Sequence, residues 1–136
     1  MKQYVELSFM GIDPDEVTAT LGIEPTVTRR AGESEGAGPR WKRHYWSLRS
    51  GIDESELDTT MHFAALFDKI EPSGAAINKL SSLNNPVISW VVNVRAHGAT
   101  PTGGIPRDIV ERIYKIGADL DVDIYVDADE PDIMDA

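Results

Sequence analysis

Cations interleaved with aromatic rings mark the most chemically suggestive stretch of the chain. Arg29, Arg30, Arg40, Lys42, Arg43 and Arg49 accompany Trp41, Tyr45 and Trp46 within residues 29–49. Such mixtures neutralise phosphates and stack bases in single-stranded nucleic-acid sites, and Trp and Arg are enriched at the centres of protein interfaces. The competing reading is structural, with Trp46 in the core and the cations solvating a sheet surface or pairing with acids elsewhere. A second candidate is the loop His97-Gly-Ala-Thr-Pro-Thr-Gly-Gly104, which leads into a helix start where free backbone N–H groups hold anions. His97, Thr100, Thr102, Gly103 and Gly104 are its candidate anion ligands. It lacks the Gly-Lys-Ser/Thr ending of a phosphate-binding P-loop, and an ordinary turn uses the same residues.

Carboxylates form a third group. Asp119, Asp121, Asp123 and Asp127 share one phase of a strand-like run with Leu120, Val122, Ile124 and Val126 between them. The alternation predicts the apolar residues inward and the acids outward, successive carboxylates about 7 Å apart. Ligands spread along a line do not converge as a cation requires, so no metal is expected. An acidic outer face that discourages edge-to-edge pairing explains the pattern as well. His44, His62 and His97 lack metal-ligand spacing, there is no cysteine, and no serine sits in a Gly-x-Ser-x-Gly turn. Asp58 and His62, one helical turn apart, suggest only a hydrogen bond. No catalytic residue and no cofactor is expected, and the chain reads as a non-enzyme.

Charge narrows the class of partner. The 136 residues carry a net −10, yet residues 29–49 hold six of the thirteen Lys and Arg against Glu33 and Glu35 alone. That segment is +4 and the remainder −14. A field so negative repels nucleic acid and favours basic partners. Nucleic acid is therefore not expected, and for the hairpin itself an acidic protein surface or a small anion is. The lack of cysteine suits a reducing cytoplasm. No run approaches the roughly eighteen apolar residues of a membrane span, and Met-Lys-Gln-Tyr-Val-Glu lacks an apolar signal core. A cytoplasmic protein without membrane contact is expected.

The elements that position these groups begin with residues 11–26. Asp13 is placed to cap a helix with Pro14 at its first position, Glu16 at capping-box spacing, and Ile12 with Val17 as a hydrophobic staple. Gly22 offers a left-handed stop, Ile23 folds back on Val17, and Pro25 forbids continuation. An outline copy at 104–117 has Pro106 at the first helical position, Ile105 as cap, Ile109, Ile113 and Ile116 on one face, and Gly117 as the stop. Strand-like runs flank both copies, at 4–10 and 26–30 and at 87–94 and 120–126. Residues 31–39 read as a mobile loop joining the 26–30 strand to a second at 40–49, with His44, Trp46 and Leu48 on one face. Helices are expected at 59–70, with Phe63, Leu66, Phe67 and Ile70 toward the core, and at 75–83. The expectation is a single α+β domain over 1–127, built on two β-α-β units in a ferredoxin-like or related sandwich, with a mainly antiparallel sheet against helices. Residues 128–136 read as an acidic, disordered tail.

The chain resembles the bacterial domain-of-unknown-function family numbered 4279. The resemblance rests on Gly-Ile-Asp-Pro-Asp-Glu-Val-Thr-Ala-Thr-Leu-Gly-Ile-Glu-Pro-Thr at 11–26 and on Trp46-Ser-Leu. A helix opening near Asp58 and the closing Ile-Gly-Ala-Asp-Leu-Asp-Val-Asp-Ile-Tyr at 116–125 complete it. It spans nearly the whole chain, implies no established catalytic activity and supplies no active-site residues. Small acidic bacterial proteins of this kind sometimes serve as immunity partners of secreted toxins. The expected function is a binding module, immunity- or antitoxin-like, that masks a basic protein. The alternative is a small-anion or phosphorylated-metabolite sensor using the hairpin and the 97–104 loop, with an enzyme of unknown reaction as the outside alternative.

Overall fold

A computed structural model describes residues 1–127, and the expected acidic tail at 128–136 lies outside the described residues. Strand β1 (Lys2–Met10) is followed by α1 (Pro14–Leu21), β2 (Val27–Arg29) and β3 (Tyr45–Arg49). Then come α2 (Thr59–Ile70), a 3-10 turn at Glu71–Ser73, α3 (Gly74–Ser81), β4 (Val87–Arg95), α4 (Arg107–Lys115) and β5 (Asp119–Asp127). The strands form one sheet in the order β2-β3-β1-β4-β5. Three pairings are antiparallel and β4–β5 is parallel, so the protein is α+β with a mixed sheet. The parallel pair follows from α4, because parallel neighbours need a crossover that returns the chain to the same end. β1 and β2 also run in one direction, but β3 lies between them.

Alternation along β1 decides what faces the helices. Val5, Leu7 and Phe9 are fully buried and join Trp46, Leu48 and Ile88 from the neighbouring strands. Against this face pack Val17 and Leu21 of α1, the Phe63–Leu66–Phe67–Ile70 stripe of α2, Ile77 and Leu80 of α3, and Ile109 and Ile113 of α4. Phe9 meets Trp46 edge-on at 5.9 Å. All four helices therefore cover the same face of the sheet, and the opposite face has no helical layer.

α1 is capped by its own sequence. The Asp13 carboxylate accepts from the Asp15 N–H, and Gly22, at φ 69°, donates its N–H to the Thr18 carbonyl. The start of α4 departs from expectation. Pro106 is itself the cap, its extended ψ of 161° keeping it outside the helix, and its carbonyl oxygen accepts from Ile109 and Val110. The hairpin is shorter than the 40–49 run suggests. β3 begins at Tyr45, because residues 31–41 close on themselves through Gly32 N–H to Trp41 O and Trp41 N–H to Glu33 O.

The largest correction concerns β5. Leu120, Val122, Ile124 and Val126 share the helix-side phase with Ile88 and Trp90, yet they are 38, 48, 61 and 64% exposed. As the outermost strand, β5 extends past the helix layer, so facing the helices does not bury it.

One buried amide joins distant parts of the fold. Gln3 is fully buried; its Nε2 donates to the carbonyls of Glu56 and Leu57, and its Oε1 accepts from Thr59 Oγ1 and Trp90 Nε1. Replacing Gln3 by leucine would strand the Thr59 hydroxyl and the Trp90 indole N–H, whereas the Glu56 and Leu57 carbonyls would keep their bonds from His62 Nε2 and the Thr102 N–H. Each buried orphan costs about 1–3 kcal/mol. The Gln3→Leu variant is expected to lose at least about 2 kcal/mol by urea denaturation, with the Trp90 fluorescence environment altered in the native state.

Candidate functional site

The helix-free face of the sheet carries the polar phase of every strand. Register sets Arg49, Glu6, Ser89 and Asp121 side by side across four strands, with Ser47, Ser8, Val87 and Asp119 in the next row. Strands lie about 4.8 Å apart, so Glu6 and Asp121, two strands away, are separated by about 10 Å at their backbones, with Ser89 between them. A cavity of about 460 Å³ opens over these rows, lined by Glu6, Ser8, Ser89, Tyr45, Arg43 and Asp121 among others.

Glu6 is the centre of this face. Only 8% of it is exposed, although it carries a carboxyl group. Oε1 accepts from the Tyr45 hydroxyl at 2.9 Å, and Oε2 lies 3.8 Å from Arg49 Nε. Burial raises its carboxyl above the ordinary 4.5, while the Tyr45 hydrogen bond and the Arg49 charge pull the other way. Burial and then the Glu6 charge push the Tyr45 hydroxyl up to about 12, so it remains the donor. Arg49 stacks over Tyr4 at 3.9 Å and also approaches Glu54 at 3.7 Å. Ser47 Oγ is buried here with no suitably oriented hydrogen-bond partner among the described residues.

The hairpin cations divide. Arg29 lies over the rings of Trp41 and Tyr45, at 5.6 and 5.3 Å, and Arg43 lines the cavity with its guanidinium 3.8 Å from Met10 Sδ. Together with Arg49 they make the β2–β3 side of the face cationic, while Asp119, Asp121, Asp123 and Asp127 make the β5 side anionic. Arg30 instead pairs with Asp13 at 3.2 Å and Asp15 at 2.6 Å, fastening the hairpin to the start of α1. Arg40 donates to the Gly32 carbonyl within the loop, and Lys42 is exposed there. Trp41 is half-buried beneath Arg29.

The 97–104 loop sits at the other end of the molecule and is docked on α2. Thr102 N–H donates to the Leu57 carbonyl, Thr102 O accepts from Thr59 N–H, and Gly104 O accepts from Thr60 Oγ1. A side chain at Gly103 would stand 2.7 Å from the Asp58 carboxylate. Thr100 and His97 are exposed. The loop follows the end of β4 that pairs with the start of β1, whereas the hairpin meets the end of β1. A nine-residue strand separates them by roughly 27 Å, so the two candidates do not form one site. The histidines have structural surroundings. His62 is fully buried with Nε2 2.9 Å from the Glu56 carbonyl, which assigns the ring proton to Nε2. His44 Nδ1 accepts from Ala31 N–H. Asp58 caps α2 through Thr60 N–H. Among the described residues no group of three or more His, Cys, Asp or Glu is placed to hold a metal ion.

Sequence reading missed Glu6, Ser8, Ser47 and Ser89. Glu6 and Ser8 lie on the phase of β1 opposite Val5, Leu7 and Phe9, and they are buried beside β3, a strand nearly forty residues away.

Residues 1–127 match the family model described as Domain of unknown function (DUF4279). No curated protein and no solved structure matches the chain. No helix among the described residues is long and apolar enough to cross a membrane.

The raised Glu6 carboxyl sets the sign of a pH effect. Folding favours its neutral form, so its contribution to stability is fully present below the ordinary 4.5 and is lost as pH rises through the raised value. Urea midpoints of the native chain and Glu6→Gln, measured near pH 3.5 and pH 7, should show the variant gaining on the native chain at the higher pH. A difference that does not change with pH would contradict a desolvated Glu6.

Proposed function

The chain belongs to the family described as Domain of unknown function (DUF4279), and we propose that it is a binding module that masks a basic protein, as an immunity protein masks its toxin. The carrying observation is β5. Its four aspartates stand on one face of a fully exposed strand, and none is in an ion pair among the described residues. The hairpin offers less charge than its composition suggests, because Arg30, Arg40 and Arg49 are engaged internally. With a net −10, the acidic side dominates the long-range field and steers a basic partner toward contact. We also read β1–β4 with their helices as a ferredoxin-like split β-α-β core carrying α4–β5 as an addition, a reading supported by the order β2-β3-β1-β4.

Arg43 favours a second reading, a small-anion sensor, since it lines the cavity with its guanidinium beside the Met10 thioether and in no ion pair among the described residues. In that reading the 97–104 loop belongs to another surface.

Titration with small proteins of pI above about 9 separates the two. The first reading expects affinity that weakens about tenfold or more between low and several-fold higher salt. An Asp121→Asn, Asp123→Asn double variant should slow association several-fold and leave the melting temperature nearly unchanged. A melting shift with inorganic phosphate, lost in Arg43→Ala and retained in the aspartate variant, would favour the sensor. Failure to bind any basic protein would sink the masking role.

A further inference from the structure

Resting on that reading, we infer that β5 is a docking strand: an extended segment of the partner, alternating cationic and apolar residues, adds to its free edge as a sixth strand. β4 uses one edge of β5 along all nine residues, from Val87 opposite Asp119 to Arg95 opposite Asp127. The other edge has no strand partner among the described residues. Backbone donors and acceptors therefore line it, and an added strand satisfies them.

Natural edges are blunted by brevity, proline, lysine or a bulge. Asp-Leu-Asp-Val-Asp-Ile-Tyr-Val-Asp has no proline, glycine or lysine, and it matches β1 and β4 in length. Its acidic row alone would serve protection. The opposite row does not, because Leu120, Val122, Ile124 and Val126 become progressively more exposed along the strand. The apolar surface continues onto α4, where Val110 is 50% and Tyr114 84% exposed. At about 100° per residue, both sit on the flank turned away from the Arg112–Glu71 ion pair, that is, away from the other helices.

Charge selects the occupant. A second copy of β5 would set aspartate rows side by side or press carboxylates against the apolar row, and like charges directly opposite destabilise a strand pair. Residues 128–136 contain four acids and no base, which makes that segment an equally poor strand for this edge. A segment with Lys or Arg on the Asp121–Asp123 side and Val or Ile on the Val122–Ile124 side complements both rows.

Four nine-residue peptides with blocked ends test this on the full chain by calorimetry and amide hydrogen exchange. One alternates lysine and valine, one has the same composition in two blocks, and two are the alternating peptide N-methylated along one edge or the other. The alternating peptide is expected to bind at least tenfold more tightly than the two-block peptide. It should also slow exchange at the β5 amides that β4 leaves unused. Methylation on the edge facing β5 should abolish both effects, so each edge is methylated in turn. Equal binding of the alternating and block peptides, or binding without β5 protection, overturns strand addition and leaves the basic-partner reading standing. So does failure of the alternating peptide to bind when a basic protein does. If neither the peptides nor any basic protein binds, both readings fall.

Discussion

Four hydrogen bonds to the buried amide of Gln3 tie the start of β1 at once to the loop before α2, to α2 itself and to β4. Both of its N–H donors and both acceptor positions of its oxygen are used, which is the full capacity of the group. Through it the start of β1 fixes the 56–57 backbone, the first residue of α2 and the indole of Trp90 on β4. The position of α2 then sets where the 97–104 loop docks, through Thr59 and Thr60. A buried network of this kind stabilises only when complete, since a missing partner leaves several desolvated groups at once.

With α2 so fixed, the sheet becomes two-sided. One phase of β1, β3 and β4 enters the core beneath the four helices, and the other phase is mainly polar. On that polar side Glu6 is desolvated by its neighbours rather than by a covering layer, and Tyr45 and Arg49 supply the compensating contacts. The charge of the open face is consequently ordered by strand position. Cations come from the hairpin, a buried acid lies in the middle, and free acids stand on β5.

Much of the frame was legible from local rules. Asp13, Pro14 and Gly22 specify α1, and the Phe63–Ile70 stripe specifies α2, because caps and helical periodicity act within a few residues. Alternation likewise puts Val5, Leu7 and Phe9 of the 4–10 run on one face. Where long-range pairing decides, the sequence was silent or misleading. Arg30 looked like a ligand for an anion, but it serves the start of α1. Glu6 carries no local signal of burial, because its partners Tyr45 and Arg49 come from β3. Thr102 looked like an anion donor, and its backbone is bound to residues 57 and 59.

The apolar row of β5 shows most clearly why phase and burial are different quantities. Alternation tells which side of the sheet a residue faces, but burial needs something on that side. The helices lie over the strands that supply the core, and Ile109 and Ile113 of α4 join that core, which includes no residue of β5. A fifth strand beyond that layer keeps an apolar row that its own fold does not cover. Its acidic row prevents like from pairing with like, and the two rows together specify a complement with opposite charge on one face and apolar side chains on the other. The edge is thus selective by the same alternation that made it a strand.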